Sequence, residues 1–168
     1  DIFRELGCDF EYVDMSDIEN LEAAKKDNTK MVFLETPTNP MMRVSDIRKV
    51  SEVAHRYNAV FVVDNTFLTP YFQKPLTLGA DIVTHSGTKY ICGHNDVIAG
   101  IVVIKDDTYS HHFHMQLQSR GNGLGPMDSW LLIRGLKTLS LRMEKHDSNA
   151  KIVAEWLRKH PKVKKVYY

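Results

Sequence analysis

Two cysteines, Cys8 and Cys92, are all the chain contains, and they stand far apart with no Cys-x-x-Cys spacing. That excludes a disulfide-stapled fold and a cysteine-based metal or redox pair, and makes a reducing cytoplasm the expected home. An excess of one charge is also lacking: Lys+Arg 22 against Asp+Glu 21 leaves a net charge of +1. Bulk charge therefore gives no reason to expect nucleic acid or an anionic membrane as partner. No apolar run approaches the roughly 20 residues that a membrane-spanning helix needs. Nor does a basic segment followed by an apolar stretch open the chain, as in a signal peptide. Proline and glycine are sparse, 6 and 9 of 168 residues, beside 43% hydrophobic and 26% charged residues. Collagen-like and fully disordered chains are excluded on that count. The length suits one domain with its own core, or part of a larger one. The chain opens at Asp1 without a methionine and closes at Tyr168 as an apolar segment begins. Both ends read as cuts in a longer polypeptide.

Helix and strand signals alternate along the chain. A short helix over 17–26 is expected, with Ser16 as N-cap. The apolar run Met31–Leu34 is closed by Glu35-Thr36-Pro37-Thr38-Asn39-Pro40, whose prolines and Asn make a rigid loop. Val44, Ile47, Val50, Ala54 and Tyr57 recur at spacings of three and four, which predicts a helix from Ser45 onward. Val60–Val63 is apolar without alternation and stops at Asp64-Asn65; after a helix, this predicts a buried parallel strand. A brief helix over Pro75–Leu78 ends at Gly79. The strand Ile82–His85 then stops at Ser86-Gly87-Thr88-Lys89, and another apolar strand covers Ile98–Ile104. Such alternation implies right-handed crossovers and an α/β architecture.

Beyond this the pattern turns helical. Tyr109–Gln118 reads as a helix, 121–125 as a glycine loop, and Pro126 as the start of a further helix. Met127, Trp130, Leu131, Leu136, Leu139 and Met143 are its expected buried side. Ile152, Val153, Trp156 and Leu157 form a second stripe, stopped by Pro161. Residues 163–168 read as the first strand of a new unit. A boundary is expected at Asp147, inside a helix: 1–147 as part of a large domain, 148–168 as the start of the next.

Ligands of open α/β sheets bind outside the carboxyl ends of the strands. Consecutive strand ends here carry Thr36-Pro37-Thr38-Asn39, Asp64-Asn65-Thr66 and Ser86-Gly87-Thr88-Lys89. Ser86 and Thr88 suit donation to phosphate oxygens. Lys89 is either a phosphate contact or a nucleophilic amine. Asp64 ends an apolar strand, where a carboxylate needs a cationic partner, and a pyridinium nitrogen is one. Asn39 suits donation to a phenolate oxygen. Pyridoxal phosphate has all three features and attaches to lysine as a Schiff base. Singly, each residue has a plainer reading as a surface lysine, a turn former or a cap. Their joint placement favours a cofactor site.

The same residues carry a family resemblance. Glu35–Pro40, Asp64-Asn-Thr-Phe67 and His85-Ser-Gly-Thr-Lys-Tyr-Ile-Cys-Gly-His94 resemble the Cys/Met-metabolism family of pyridoxal-phosphate enzymes. That family includes cystathionine γ-synthase, cystathionine β- and γ-lyases and methionine γ-lyase. Arg134-Gly-Leu-Lys-Thr-Leu139 with Arg142-Met-Glu144 resembles the family's long helix into its C-terminal domain. The resemblance implies a fold-type-I transferase domain, with a mainly parallel, mixed sheet between helices, leading into an α+β C-terminal domain. It implies pyridoxal 5'-phosphate as cofactor, Lys89 as its covalent attachment and Asp64 as partner of the pyridine nitrogen. Ser86 and Thr88 match the phosphate-binding hydroxyls, Asn39 the residue near the phenolic oxygen, and Glu35 a supporting residue.

The implied chemistry is β/γ-elimination or γ-replacement on sulfur-containing amino acids or activated homoserine. The implied assembly is a homo-oligomer, a dimer of dimers, with a small amino-acid substrate and neither nucleic acid nor membrane as partner. Gly87 stands where the family commonly has Ala, and Asn95 where it commonly has Ser. The resemblance also implies flanking segments that bring a stacking tyrosine, most of the phosphate cradle and a substrate-carboxylate arginine; none matches within these residues.

Other features carry plainer readings. His111-His112-Phe113-His114 has no convergent ligand spacing and no supporting carboxylate, so a polar helix face is expected and no metal. Gly121, Gly123 and Gly125 follow a helix rather than a strand, which argues against a dinucleotide fingerprint. Val60–Asp64 resembles the metal-carboxylate strand of a P-loop protein, but no Gly-x-x-x-x-Gly-Lys-Ser/Thr accompanies it. Lys162, Lys164 and Lys165 read as a solvated edge. Alternatives to the lyase or synthase reading are an aminotransferase of the same fold and a non-catalytic fragment.

Overall fold

Apolar runs that stay apolar on consecutive residues can sit in a sheet covered on both faces, and the chain supplies them at β1 (Met31–Glu35) and β2 (Val60–Asp64), followed by β3 (Ile82–Ser86), apolar only at Ile82 and Val83. A computed structural model, describing residues 2–168, lays them side by side in that order, with both pairings parallel. The last strand, β4 (Gly100–Ile104), returns antiparallel on β3. The sheet is thus mixed and mainly parallel. Its register sets Glu35 beside Asp64, Asp64 beside Thr84, and Ser86 beside Gly100.

Alternate residues of a strand face opposite sides. Leu34, Val63 and Val83 therefore share one face, while Asp64, Thr84 and Ser86 share the other. The first face is covered by α3 (Ile47–Arg56), whose N-cap Asp46 accepts from the amides of Arg48 and Lys49. Ile47, Val50, Val53 and Ala54 of α3 are buried with Leu34, Phe61, Val63 and Val83, joined by Leu21 of α2 (Ile18–Ala24). Each fully buried Val, Leu, Ile or Phe there contributes roughly 1.5–3 kcal/mol relative to exposure.

Several expectations are corrected. The N-cap of α2 is Asp17, whose carboxylate accepts from Glu19 N, because the Ser16 hydroxyl is committed to Asp14 at 2.6 Å. Val44 precedes α3 and is exposed. Besides α1 (Ile2–Glu5), α4 (Thr69–Phe72) and α5 (Ser110–Arg120), the helix expected from Pro126 is two helices, α6 (Pro126–Leu136) and α7 (Leu139–Lys159). Between them Thr138 leaves helical backbone, at φ −109° and ψ 9°, and its hydroxyl donates to the Gly135 carbonyl at 3.2 Å. Leu139 and Met143 are buried as expected, but Met127, Trp130 and Leu136 are exposed, because α6 packs through Leu131 and Leu132 onto Cys92, Val97 and Ala99. Ile152, Val153 and Trp156 are exposed as well. Residues 163–168 form no strand; no described neighbour pairs with them, and an unpaired strand is not stable alone.

Glycine at 135 follows from close approach. A Cβ there would lie 2.8 Å from the carbonyl carbon of Cys92, a backbone atom that cannot swing aside. Gly135→Ala in the full-length protein is expected to cost about 1–3 kcal/mol of stability, read as a lowered Tm. Gly100→Ala, where a Cβ meets nothing within 4 Å, is the control. An unchanged Tm for Gly135→Ala would show that α6 does not seat on Cys92. No described helix is long and apolar enough to cross a membrane.

Candidate functional site

The carboxyl ends of β1, β2 and β3 are stitched together by short polar side chains. Asp64 is half-buried, and its Oδ1 accepts from Thr66 N at 2.9 Å, an Asx turn that ends β2. The Thr66 hydroxyl accepts from Ser86 N at 2.8 Å, and Asn65 N donates to Thr84 O at 2.9 Å. Buried Asn65 and half-buried Gln73 are linked twice: Asn65 Nδ2 donates to Gln73 O, and Gln73 Nε2 donates to Asn65 Oδ1. Gln73 Nε2 also donates to Thr36 O at 3.2 Å, drawing in the end of β1. Beyond β1, Glu35 accepts from Asn39 N at 3.3 Å, so Glu35 braces the loop on which Asn39 stands exposed.

After Ser86 the chain makes a wide turn over Gly87–Ile91, closed by Cys92 N donating to Gly87 O at 2.9 Å and Gly93 N to Lys89 O at 2.8 Å. Turns of this width inside helical backbone recur at functional sites. Lys89 departs from helical geometry, at φ −86° and ψ −118°, and its side chain is exposed. At Gly87 a Cβ would press to 3.2 Å on both Ala99 and Leu132, so an alanine there would need these neighbours to give way slightly. The Thr88 hydroxyl accepts from Ala99 N at 2.9 Å and donates to Ala99 O at 3.3 Å, pinning the turn to the approach of β4.

The groups left without partners matter most for chemistry. Among the described residues, Asp64 Oδ2, the Ser86 hydroxyl and the Lys89 amine have no hydrogen-bond partner, and neither Asp64 nor Lys89 forms an ion pair. The Thr84 hydroxyl, beside Asp64 in register, and His85 Nδ1 are buried and unpaired. Buried polar groups are nearly always hydrogen-bonded, so such orphans call for a ligand or water. Burial pushes the His85 imidazole below its ordinary pKa, against the opposing pull of the Asn65 backbone and the Asp64 charge. Burial, and then the hydrogen bond to Asp96 at 3.0 Å, pushes the Cys92 thiol up.

The structure thus puts Asp64 and Ser86 on one sheet face, with Lys89 on the turn that follows and Glu35 and Asn39 at the next strand end. The Thr88 hydroxyl instead faces Ala99. Thr66, Gln73, Thr84 and His85 were not singled out by the sequence. Thr66 and His85 lie inside the motifs quoted for the site, whereas Gln73 leaves no sequence signal.

The family profile described as Cys/Met metabolism PLP-dependent enzyme matches residues 1–168. A cystathionine gamma-lyase of Bacillus subtilis (strain 168) is 48% identical over 167 residues, covering 99% of this chain and 44% of the relative. A cystathionine beta-lyase of Lactococcus lactis subsp. cremoris (strain MG1363) is 47% identical over 167 residues, with the same 99% and 44% coverage. The crystal structure of cystathionine gamma-lyase from Lactobacillus plantarum complexed with L-serine superimposes with a TM-score of 0.97 at 43% identity, over 99% of this chain and 44% of that one. The chain therefore spans less than half the length of these relatives.

Proposed function

From a chain that belongs to the Cys/Met metabolism PLP-dependent enzymes, we propose that it is the lysine-bearing part of an enzyme that eliminates or replaces groups at Cβ or Cγ of sulfur-containing amino acids or activated homoserine. Elimination is the favoured branch, because the relatives compared above are named lyases. The observation that carries the reading is the set of unpaired groups at the strand ends: a carboxylate oxygen on Asp64, an amine on Lys89 and a hydroxyl on Ser86. These fit the family's cofactor, pyridoxal 5'-phosphate, which offers a ring nitrogen, an aldehyde carbon and a phosphate.

Lys89 would hold the cofactor covalently, and its amine, once released by the substrate amine, would take the Cα proton. For chemistry at Cγ the same amine would also move a Cβ proton. Asp64 would hold a proton on the ring nitrogen. When bound, the cofactor supplies a sink for the electron pair left at Cα. Ser86 and Thr88 would donate to phosphate oxygens, Thr88 by giving up its long bond to Ala99 O. Asn39 would donate to the phenolic oxygen, with Glu35 bracing its loop. The large domain would end near Asp147, within the unbroken α7. The assembly would be a homo-oligomer, a dimer of dimers, and the free thiols Cys8 and Cys92 suit a cytoplasmic home.

Borohydride reduction of the full-length, cofactor-loaded protein, followed by peptide mapping, is expected to place the cofactor mass on Lys89. Label on another lysine would refute the assignment. Release of keto acid and ammonia from cystathionine would separate elimination from amino transfer, which leaves the ammonia on the acceptor.

A further inference from the structure

The turn that carries Lys89 is fastened from outside. Its own closing bonds use the carbonyls of Gly87 and Lys89. The next two carbonyls, of Tyr90 and Ile91, are taken by the Arg142 guanidinium of α7, through Nη1 at 2.5 Å and Nη2 at 3.3 Å. Arg142 Nη2 also donates to Gly135 O at 2.9 Å, and its Nε to the Thr138 hydroxyl at 3.1 Å. One side chain therefore joins the lysine turn, the end of α6 and the start of α7. Arg142 pairs with no carboxylate among the described residues, so its charge is directed at carbonyl oxygens. Gly93, at φ +75°, completes the fit: a Cβ there would overlap the guanidinium.

We propose that Arg142 is a positioning residue, whose guanidinium fixes the lysine turn to the α6–α7 junction and so sets where the Lys89 amine stands. The proposal rests on the reading of Lys89 as the cofactor's attachment. A lysine at 142 would keep the charge but lose the planar fork that reaches several carbonyls at once.

The test uses the full-length, cofactor-loaded enzyme with Arg142→Lys and Arg142→Met. Hydrogen exchange of peptides over 87–93 is expected to quicken by at least about tenfold in both variants, with α3 unchanged. Turnover should fall about tenfold in kcat, because a displaced amine misses its proton, while KM stays within about twofold. Unchanged exchange over 87–93, equal loss of protection in α3, or an effect on KM alone would overturn the proposal. So would failure of both variants to fold, since the residues Arg142 binds, Tyr90, Ile91, Gly135 and Thr138, lie outside the core packed under α3. Borohydride label on a lysine other than Lys89 in the unmodified enzyme would refute the reading of Lys89 while leaving the exchange result standing.

Discussion

Lys89→Ala in the full-length enzyme is expected to lower turnover by roughly 10³-fold, the scale of a lost general acid–base group, with no covalently held cofactor remaining. The loss should be purely chemical. Lys89 is exposed and makes no ion pair with a described residue, so its removal leaves the core and the strand-end stitching untouched. Tm measured without cofactor should match the unmodified protein. Substrate turnover, measured with free pyridoxal phosphate as blank, decides the matter: near-normal rates from the folded variant would exclude Lys89 as the amine that moves the proton.

Asp64 calls for a pair of variants because its two oxygens do different things. Oδ1 accepts from Thr66 N and shapes the turn, while Oδ2 has no described partner. Asp64→Asn keeps an acceptor for Thr66 and removes the charge; Asp64→Ala removes both. Loss of a fully buried charge partner commonly costs about 3–5 kcal/mol, or roughly 10²–10⁴-fold, so for half-buried Asp64 both variants should lose on the order of 10²-fold or more in kcat. Only Asp64→Ala should also lose stability, by about 1 kcal/mol for the missing hydrogen bond. Normal turnover by Asp64→Asn would remove the charge from the mechanism and leave Asp64 as a turn former.

The sheet was legible because β1 and β2 are unbroken apolar runs ending in polar clusters and β3 opens on Ile82-Val83 before its own, and all three begin at their expected starts. The grouping of Asp64, Ser86 and Lys89 at neighbouring strand ends was legible for the same reason, since a parallel sheet brings its carboxyl ends together. Periodicity identifies an apolar face but not what covers it, and so Met127, Trp130 and Ile152 were expected inside and lie outside. The break between α6 and α7 depends on the Thr138 hydroxyl and on Gly135 seating against Cys92, a contact between segments far apart in sequence. Gln73 reaches Thr36 across 37 residues, and no local pattern marks it. The Thr88 hydroxyl was read as a free donor, yet its position beside Ala99 is set by the antiparallel return of β4.

The span between Arg142 and the turn it holds bears on how the protein is made. Tyr90 and Arg142 are 52 residues apart, whereas Thr88 and Ala99 are 11 apart. On a ribosome adding about 5–20 residues per second, some 3–10 s separate synthesis of Tyr90 from synthesis of its clamp. During that interval β4 can pair with β3, because closing the 87–99 connection costs less entropy than closing the longer span to Arg142. Lys89, near the start of that connection, then stands on a nascent chain with its turn pinned on one side only. Seating of Lys89 is completed by a helix translated later, so a ribosome stalled before Arg142 would hold β4 on β3 with an unfastened lysine.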